Sequence, residues 1–163
     1  RQREALSAHL LEFVILTASR QSEARLATRD EIDRANLIWT IPASRMKTNR
    51  EHRVPLTDRT LEIIDECETD SRYVFAEGGN PLSINALRML MIRMGVGEYT
   101  PHGFRSSFRE WCEEKSIIRE ESIWEESLGH LIGTATTRCY RRNDAIDARL
   151  RLLKHWNLFA SKA

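Results

Sequence analysis

The sequence is short of several things, and each shortage narrows the field. No apolar run in its 163 residues is long enough to cross a bilayer. The first apolar stretch, Leu10 to Leu16, is interrupted by Glu12 and lacks a small-residue cleavage site, so it does not read as a secretory signal. Cysteine is scarce: Cys67, Cys112 and Cys139 form neither a CxxC pair nor an even framework. They read as free thiols of a reducing compartment, and no Cys or His pair has zinc-ligand spacing on both sides. Repeats and low-complexity segments are missing as well. Charge of one sign is also lacking, with 25 Lys and Arg against 24 Asp and Glu for a net +1. What remains is 41% apolar and 30% charged, enough for one domain with a sizeable core. The first residue is Arg1 rather than Met, from which we expect a piece of something longer.

The charges are few in net but segregated in sequence. Residues 45–53 hold Arg45, Lys47, Arg50 and Arg53 against Glu51 alone. Residues 138–154 hold Arg138, Arg141, Arg142, Arg149, Arg151 and Lys154 against Asp144 and Asp147. Between them, Glu110 to Glu126 is acidic. Such a chain can turn one face to phosphates and another to solvent, although solvated helix faces give the same pattern.

Periodicity predicts a mainly α fold with one small antiparallel sheet. Leu6, Leu10, Phe13, Val14 and Leu16 mark an amphipathic helix over 3–17, broken at Ala18 and Ser19 and resumed from Arg20 to Leu26. Ile32, Leu37 to Ile41, and Val54 with Leu56 read as strands, with Lys47 on the exposed second turn. Thr57 reads as the N-cap of a helix reaching Glu68, Gly78 to Pro81 as a loop, and Ser83 as the cap of a helix ending near Gly95. Thr100-Pro101 starts a helix running from His102 to Lys115. Another spans Arg119 to Leu128 and stops at Gly129; a short helix carries Tyr140, and a last one runs from Ala145 to Phe159. In that last helix most of Leu150, Leu152, Leu153, Trp156 and Leu158 suit this domain's own core, with docking on an adjacent subunit as the alternative.

Five features carry chemistry only jointly. His102 and Arg105 share a helix face at a positive helix terminus, where phosphates bind well. His130 follows Leu128-Gly129, and Tyr140 lies ten positions on in Thr136-Thr137-Arg138-Cys139-Tyr140-Arg141-Arg142. Arg20, with Glu23 three residues later, sits where the first helix breaks, and Lys47 tops the hairpin. In this order the sequence resembles the tyrosine recombinase family, and within it prophage integrases. The resemblance rests on Thr17-Ala18-Ser19-Arg20-Gln21-Ser22-Glu23, the strand His52-Arg53-Val54-Pro55-Leu56 after Lys47, the box His102-Gly103-Phe104-Arg105, and Leu128-Gly129-His130. It departs from the family pattern in two places: Ala18 replaces the usual glycine, and the gap from His130 to Tyr140 is one residue longer than the commonest version.

The resemblance implies the mainly α recombinase catalytic domain across residues 1–163, without the N-terminal helical domain that clamps DNA. It implies transesterification of DNA: Tyr140 attacks phosphorus, forms a 3′-phosphotyrosine and releases a 5′-hydroxyl, with no cofactor and no metal. Arg20, Arg105, His102 and His130 would surround the scissile phosphate, Lys47 would protonate the leaving oxygen, and Glu23 would buttress the cations. Arg45, Arg50, Arg138, Arg141 and Arg142 are candidates for contacts with double-stranded DNA. A tetramer on DNA, a monomer or weak oligomer without it, and a cytoplasmic site at the nucleoid are the matching expectations. A non-catalytic DNA-binding module of the same fold and a type IB topoisomerase-like enzyme remain the alternatives.

Overall fold

The computed structural model describes residues 2–67, 69–131 and 145–162 of the chain. Its first helix, α1 (Gln2–Thr17), runs through the middle of the domain because its apolar positions repeat on more than one face. Leu10, Phe13, Val14 and Leu16 are all buried. α1 stops where the backbone of Ala18 turns to a φ of 51°. The Thr17 hydroxyl donates to the Phe13 carbonyl at 2.6 Å and reaches the Ser19 hydroxyl at 2.9 Å. A left-handed residue with a Cβ costs on the order of 1–2 kcal/mol, which is the physical reason a glycine suits this position.

The chain restarts as the short α2 (Gln21–Arg25), passes a single 3-10 turn, and enters a three-stranded antiparallel sheet. Strands β1 (Ile32–Asp33), β2 (Ile38–Ile41) and β3 (His52–Pro55) pair in sequence order, with Trp39 opposite Val54 and Ile41 opposite His52. Thr57 then caps α3 (Asp58–Glu66) through its side-chain oxygen. Gly78 to Pro81, expected as a plain loop, is a hairpin: β4 (Ala76–Glu77) pairs with β5 (Asn80–Pro81). Gly78 and Gly79 both take positive φ, as a two-residue turn between right-twisting strands requires. Ser83 is not an N-cap. It begins a turn by accepting from the Ala86 N–H, and α4 (Ala86–Arg93) follows Asn85.

The remaining described helices are α5 (Gly103–Lys115), α6 (Glu121–Ser127) and α7 (Ile146–Ala160). Thr100, expected as the N-cap, instead closes the turn before α5, its hydroxyl accepting from Gly103 N–H at 3.1 Å; His102 stands at the N-cap and α5 begins one residue later than predicted. α1 packs on α2, α3, α4 and α7, and α7 also lies against β3 and α6. Phe13 gathers Trp39 and Phe75 at 5.4 Å each, while Phe108, Trp111, Trp156 and Phe159 form a second aromatic group. Leu152, Leu153 and Trp156 of α7 are buried, and Trp156 donates to the Ile15 carbonyl at 2.7 Å. At about 1.5–3 kcal/mol for each large apolar side chain, that burial is ample to dock α7 on its own domain. Leu158 is the exception, exposed at 64%. No helix among the described residues is long and apolar enough to cross a membrane.

Candidate active site

The turn from α1 to α2, the end of α6 and the first turn of α5 meet at the guanidinium of Arg105. Arg105 is 5% exposed. It donates through Nη1 to the Ala18 carbonyl and through Nη2 to the Leu128 carbonyl at 2.7 Å. Two chain breaks far apart in sequence are thereby stitched together by one cation. Its remaining N–H groups are left for other partners, since a guanidinium offers five. Burial, and after it the charge of Arg20, draws the Arg105 guanidinium down to about 10, while Glu23 and Glu125 oppose the shift. It remains a cation at neutral pH.

Arg20 stands at the start of α2. Its backbone N–H donates to Glu23 at 2.9 Å and its Nη1 to the other Glu23 oxygen at 2.7 Å. This reciprocal pairing explains the i, i+3 spacing: a carboxylate three residues into a helix reaches back to the exposed N–H at its start. Glu23 is 2% exposed, and both of its oxygens are occupied by Arg20.

Leu128-Gly129-His130 forms the close of α6. The Gly129 N–H donates to the Glu126 carbonyl at 3.0 Å and the His130 N–H to the Glu125 carbonyl at 2.9 Å, a Schellman ending with Gly129 at a φ of 66°. A side chain at Gly129 would also meet His52 and Met46 at 3.3 Å. The wrap of the chain brings His130 back over its own helix. His130 Nε2 lies 3.4 Å from Arg105 Nη2, and Nδ1 lies 2.6 Å from Glu125 Oε2.

The hairpin between β2 and β3 enters from the other side. Arg45, expected to face DNA, is turned inward: it donates to the Glu23 carbonyl at 3.0 Å and pairs with Glu31. A half-buried carboxylate within reach outcompetes solvent for that guanidinium. Met46 is buried beside Gly129. The next residue, Lys47, is exposed, and its ammonium makes no hydrogen bond or ion pair among the described residues. Arg45 and Met46 thus moor the loop to the Arg20 and His130 turns while leaving Lys47 at its tip. Arg50, further along the same loop, is exposed. His102 is exposed at the N-cap of α5; its carbonyl accepts from the Arg105 N–H at 3.1 Å, while its imidazole has no hydrogen bond among the described residues, so the two side chains share a helix end but not a contact. Tyr140, Arg138, Arg141 and Arg142 lie outside the described residues.

Four further residues belong to this region and were not singled out from sequence. His52, half-buried on β3, is pushed down to about 3 by burial first and then by the charges of Arg149, Arg105 and Arg20, against a hydrogen bond with the Ser127 backbone. It is therefore neutral at physiological pH, a packing partner for the Gly129 turn. Arg149, on α7, is 2% exposed and close enough for its charge to be felt at His52. Nothing in its neighbours, Ala148 and Leu150, marks it as buried. Glu125 and Arg109 hold His130 from behind, with Arg109 Nε donating to Glu125 Oε1 at 2.7 Å. Glu125 was traceable, because a residue five before the one that follows a terminal glycine always sits beside it in this type of helix ending.

Comparison with known proteins bears on the whole arrangement. Residues 2–145 match the phage integrase family, a span that includes Arg20, Lys47, His102, Arg105, His130 and Tyr140. This chain belongs to the phage integrase family. Among its relatives are the prophage integrase IntA of Escherichia coli strain K12, 30% identical over 90% of this chain and 37% of its own length, and the integrase of Shigella phage Sf6, 29% identical over 86% and 38%. The integrase of Enterobacteria phage P4 is 26% identical over 90% and 38%. The chain therefore spans well under half the length of these integrases.

Proposed function

We propose that this chain is the catalytic domain of a site-specific DNA recombinase that breaks and rejoins strands through a 3′-phosphotyrosine on Tyr140. The observation that carries the reading is the meeting of Arg105 with His130 beside Arg20, at the foot of a hairpin that ends in Lys47. Such a cluster of cations and N–H donors around one opening suits a phosphodiester, whose transition state gathers charge on two non-bridging oxygens. Guanidinium forks match those oxygens and stay charged throughout.

In this reading a phosphate sits between Arg20 and Arg105, with His130 donating to the same oxygens. The Tyr140 hydroxyl attacks phosphorus as its proton passes to a neighbouring base, for which His102 is the candidate. The O–P bond to Tyr140 forms while the bond to the 5′-oxygen breaks, and Lys47 supplies the proton that oxygen needs to leave. Reversal with a different 5′-hydroxyl completes exchange with no external energy source. Glu23 holds Arg20 rather than reacting. Arg50, with Arg138, Arg141 and Arg142, would contact the backbone of double-stranded DNA, and a tetramer on two duplexes, aided by a separate N-terminal clamping domain, would bring the exchanging ends together.

The test is a nicked suicide duplex, on which the wild type forms a denaturation-resistant protein–DNA adduct and Tyr140→Phe forms none while still retarding DNA. Binding should weaken steeply as salt rises. A covalent adduct with Tyr140→Phe would remove Tyr140 from its role.

A further inference from the structure

His130 does not stand alone at the site. Behind it runs a chain of charged side chains in which each member fixes the next. Arg109, on α5, donates to Glu125 at 2.7 Å, to Glu121 at 2.6 Å and to Glu113 at 2.6 Å. Its guanidinium also lies 5.0 Å from the Trp124 ring, so it is held on both its edge and its face. Of the three carboxylates, Glu125 alone has its second oxygen directed elsewhere, to His130 Nδ1 at 2.6 Å. Glu125 is the least exposed of the three, at 26% against 58% and 68%. Burial alone would raise its carboxyl; hydrogen bonds from His130 and Arg109 outweigh that and hold it below the ordinary range, so Glu125 is an acceptor at neutral pH.

The consequence follows from the valence of an imidazole. A carboxylate only accepts, so the proton of a neutral His130 must sit on Nδ1. Nε2 is then a lone pair, and it faces Arg105 at 3.4 Å, a donor. We propose that Glu125, gripped by Arg109, is a positioning residue that fixes the ring orientation and tautomer of His130, so that Nε2 always faces the opening shared with Arg105. The catalytic part of this inference rests on the recombinase reading above; the tautomer does not.

With a phosphate lying on Arg105, a proton on Nε2 would be shared with the phosphate oxygens while Glu125 accepts from Nδ1, so that the ring donates at both ends. The other charged and titratable groups around this corner are Arg20 and Glu23 on α2, His52 on β3 and Arg149 on α7. Glu125 is thus set to make His130 a donor when substrate arrives, and an acceptor before.

The experiment uses the intact protein, with ¹⁵N-resolved NMR of the His130 ring and the rate of adduct formation on the suicide duplex. The wild type shows His130 protonated on Nδ1. Glu125→Ala loses that preference and forms adduct at least about 10-fold more slowly, part of the roughly 10²–10⁴ that a well-placed acid–base group contributes. Glu125→Gln, whose carbonyl still accepts from Nδ1, keeps the tautomer and most of the rate. Glu113→Gln, which touches Arg109 from the far side, leaves both readouts unchanged. An unaltered tautomer, or wild-type cleavage, in Glu125→Ala overturns the inference. Absence of adduct with the wild type would overturn the recombinase reading instead, while leaving the NMR result to decide the tautomer.

Discussion

The molecule contains two histidines that each bridge a glutamate and a second group, and they teach different things. His130 holds Glu125 through Nδ1 at 2.6 Å and turns Nε2 to Arg105. His9 holds Glu66 through Nε2 at 3.3 Å and turns Nδ1 to the Cys67 sulfur at 3.3 Å. As a residue set, Glu-His-Cys is the more suggestive of a nucleophile. Its surroundings argue otherwise: burial, with Glu66 adding to it, pushes the Cys67 thiol up to about 12, and Arg29 only partly offsets them. A cavity of about 440 Å³ opens beside it, but the thiol is 3% exposed. At His130 the second partner is a cation, Arg105, which feels the charge of Arg20 from another turn. The environment of a triad, more than its membership, separates a reactive arrangement from an inert one.

The largest effect should come from breaking the first arrangement at its centre. Arg105→Ala removes a cation of the phosphate opening and leaves the Ala18 and Leu128 carbonyls without their donor. Adduct formation should fall by at least about 10²–10³, and stability by about 3–6 kcal/mol in denaturant melts, given roughly 1.5–3 kcal/mol for each of the two charge-assisted bonds. A variant that loses cleavage with unchanged stability would show that Arg105 does not stitch the turns.

Next comes His52, which sharpens the contrast by pH. Its imidazole is held at about 3 in the fold and titrates near 6.5 when unfolded, so the unfolded chain takes up the proton first. Stability from the neutral ring is complete above about pH 6.5 and is lost as pH falls from there toward 3, at up to about 1.4 kcal/mol per pH unit. His52→Gln should remove that slope from the difference between the two proteins, measured by urea unfolding at pH 7, 6 and 5.

Arg45→Ala should cost about 1–3 kcal/mol by leaving Glu31 without its ion pair. By loosening the Lys47 loop it should also slow cleavage more than DNA binding, a split that band shifts and adduct rates on the same duplex would report. The smallest effects belong to the second triad. His9→Ala and Cys67→Ala should leave cleavage unchanged, and Cys67 should resist a thiol reagent at pH 8 in the folded protein. Cleavage lost in either variant would erase the distinction between the two histidines.

Much of this was legible from the residues alone. The helices announced themselves by periodicity, Thr57 by its place before a helical run, and the β2–β3 hairpin by its apolar runs. At Ala18 only the departure from the usual glycine was visible; the left-handed backbone there is a finding of the structure. What could not be read was the direction of long side chains. Arg45 sat in a basic segment and looked solvent-facing, yet the half-buried carboxylate of Glu31 drew it inward. The acidic segment from Glu110 to Glu126 looked like one solvated face, yet three of its carboxylates converge on Arg109 and one of them reaches the candidate site. Arg149 gave no sign of burial at all. Tertiary pairing decides these cases, and one-dimensional spacing does not contain it.

The central claim is that a phosphate held at Arg20, Arg105 and His130 is attacked by Tyr140. Mass spectrometry of the protease-digested suicide-substrate adduct tests it most directly. The expected result is a single nucleotide-modified peptide with the phosphodiester on Tyr140 and the DNA attached through its 3′ end. An adduct on any other residue, or one joined through a 5′ phosphate, would contradict it.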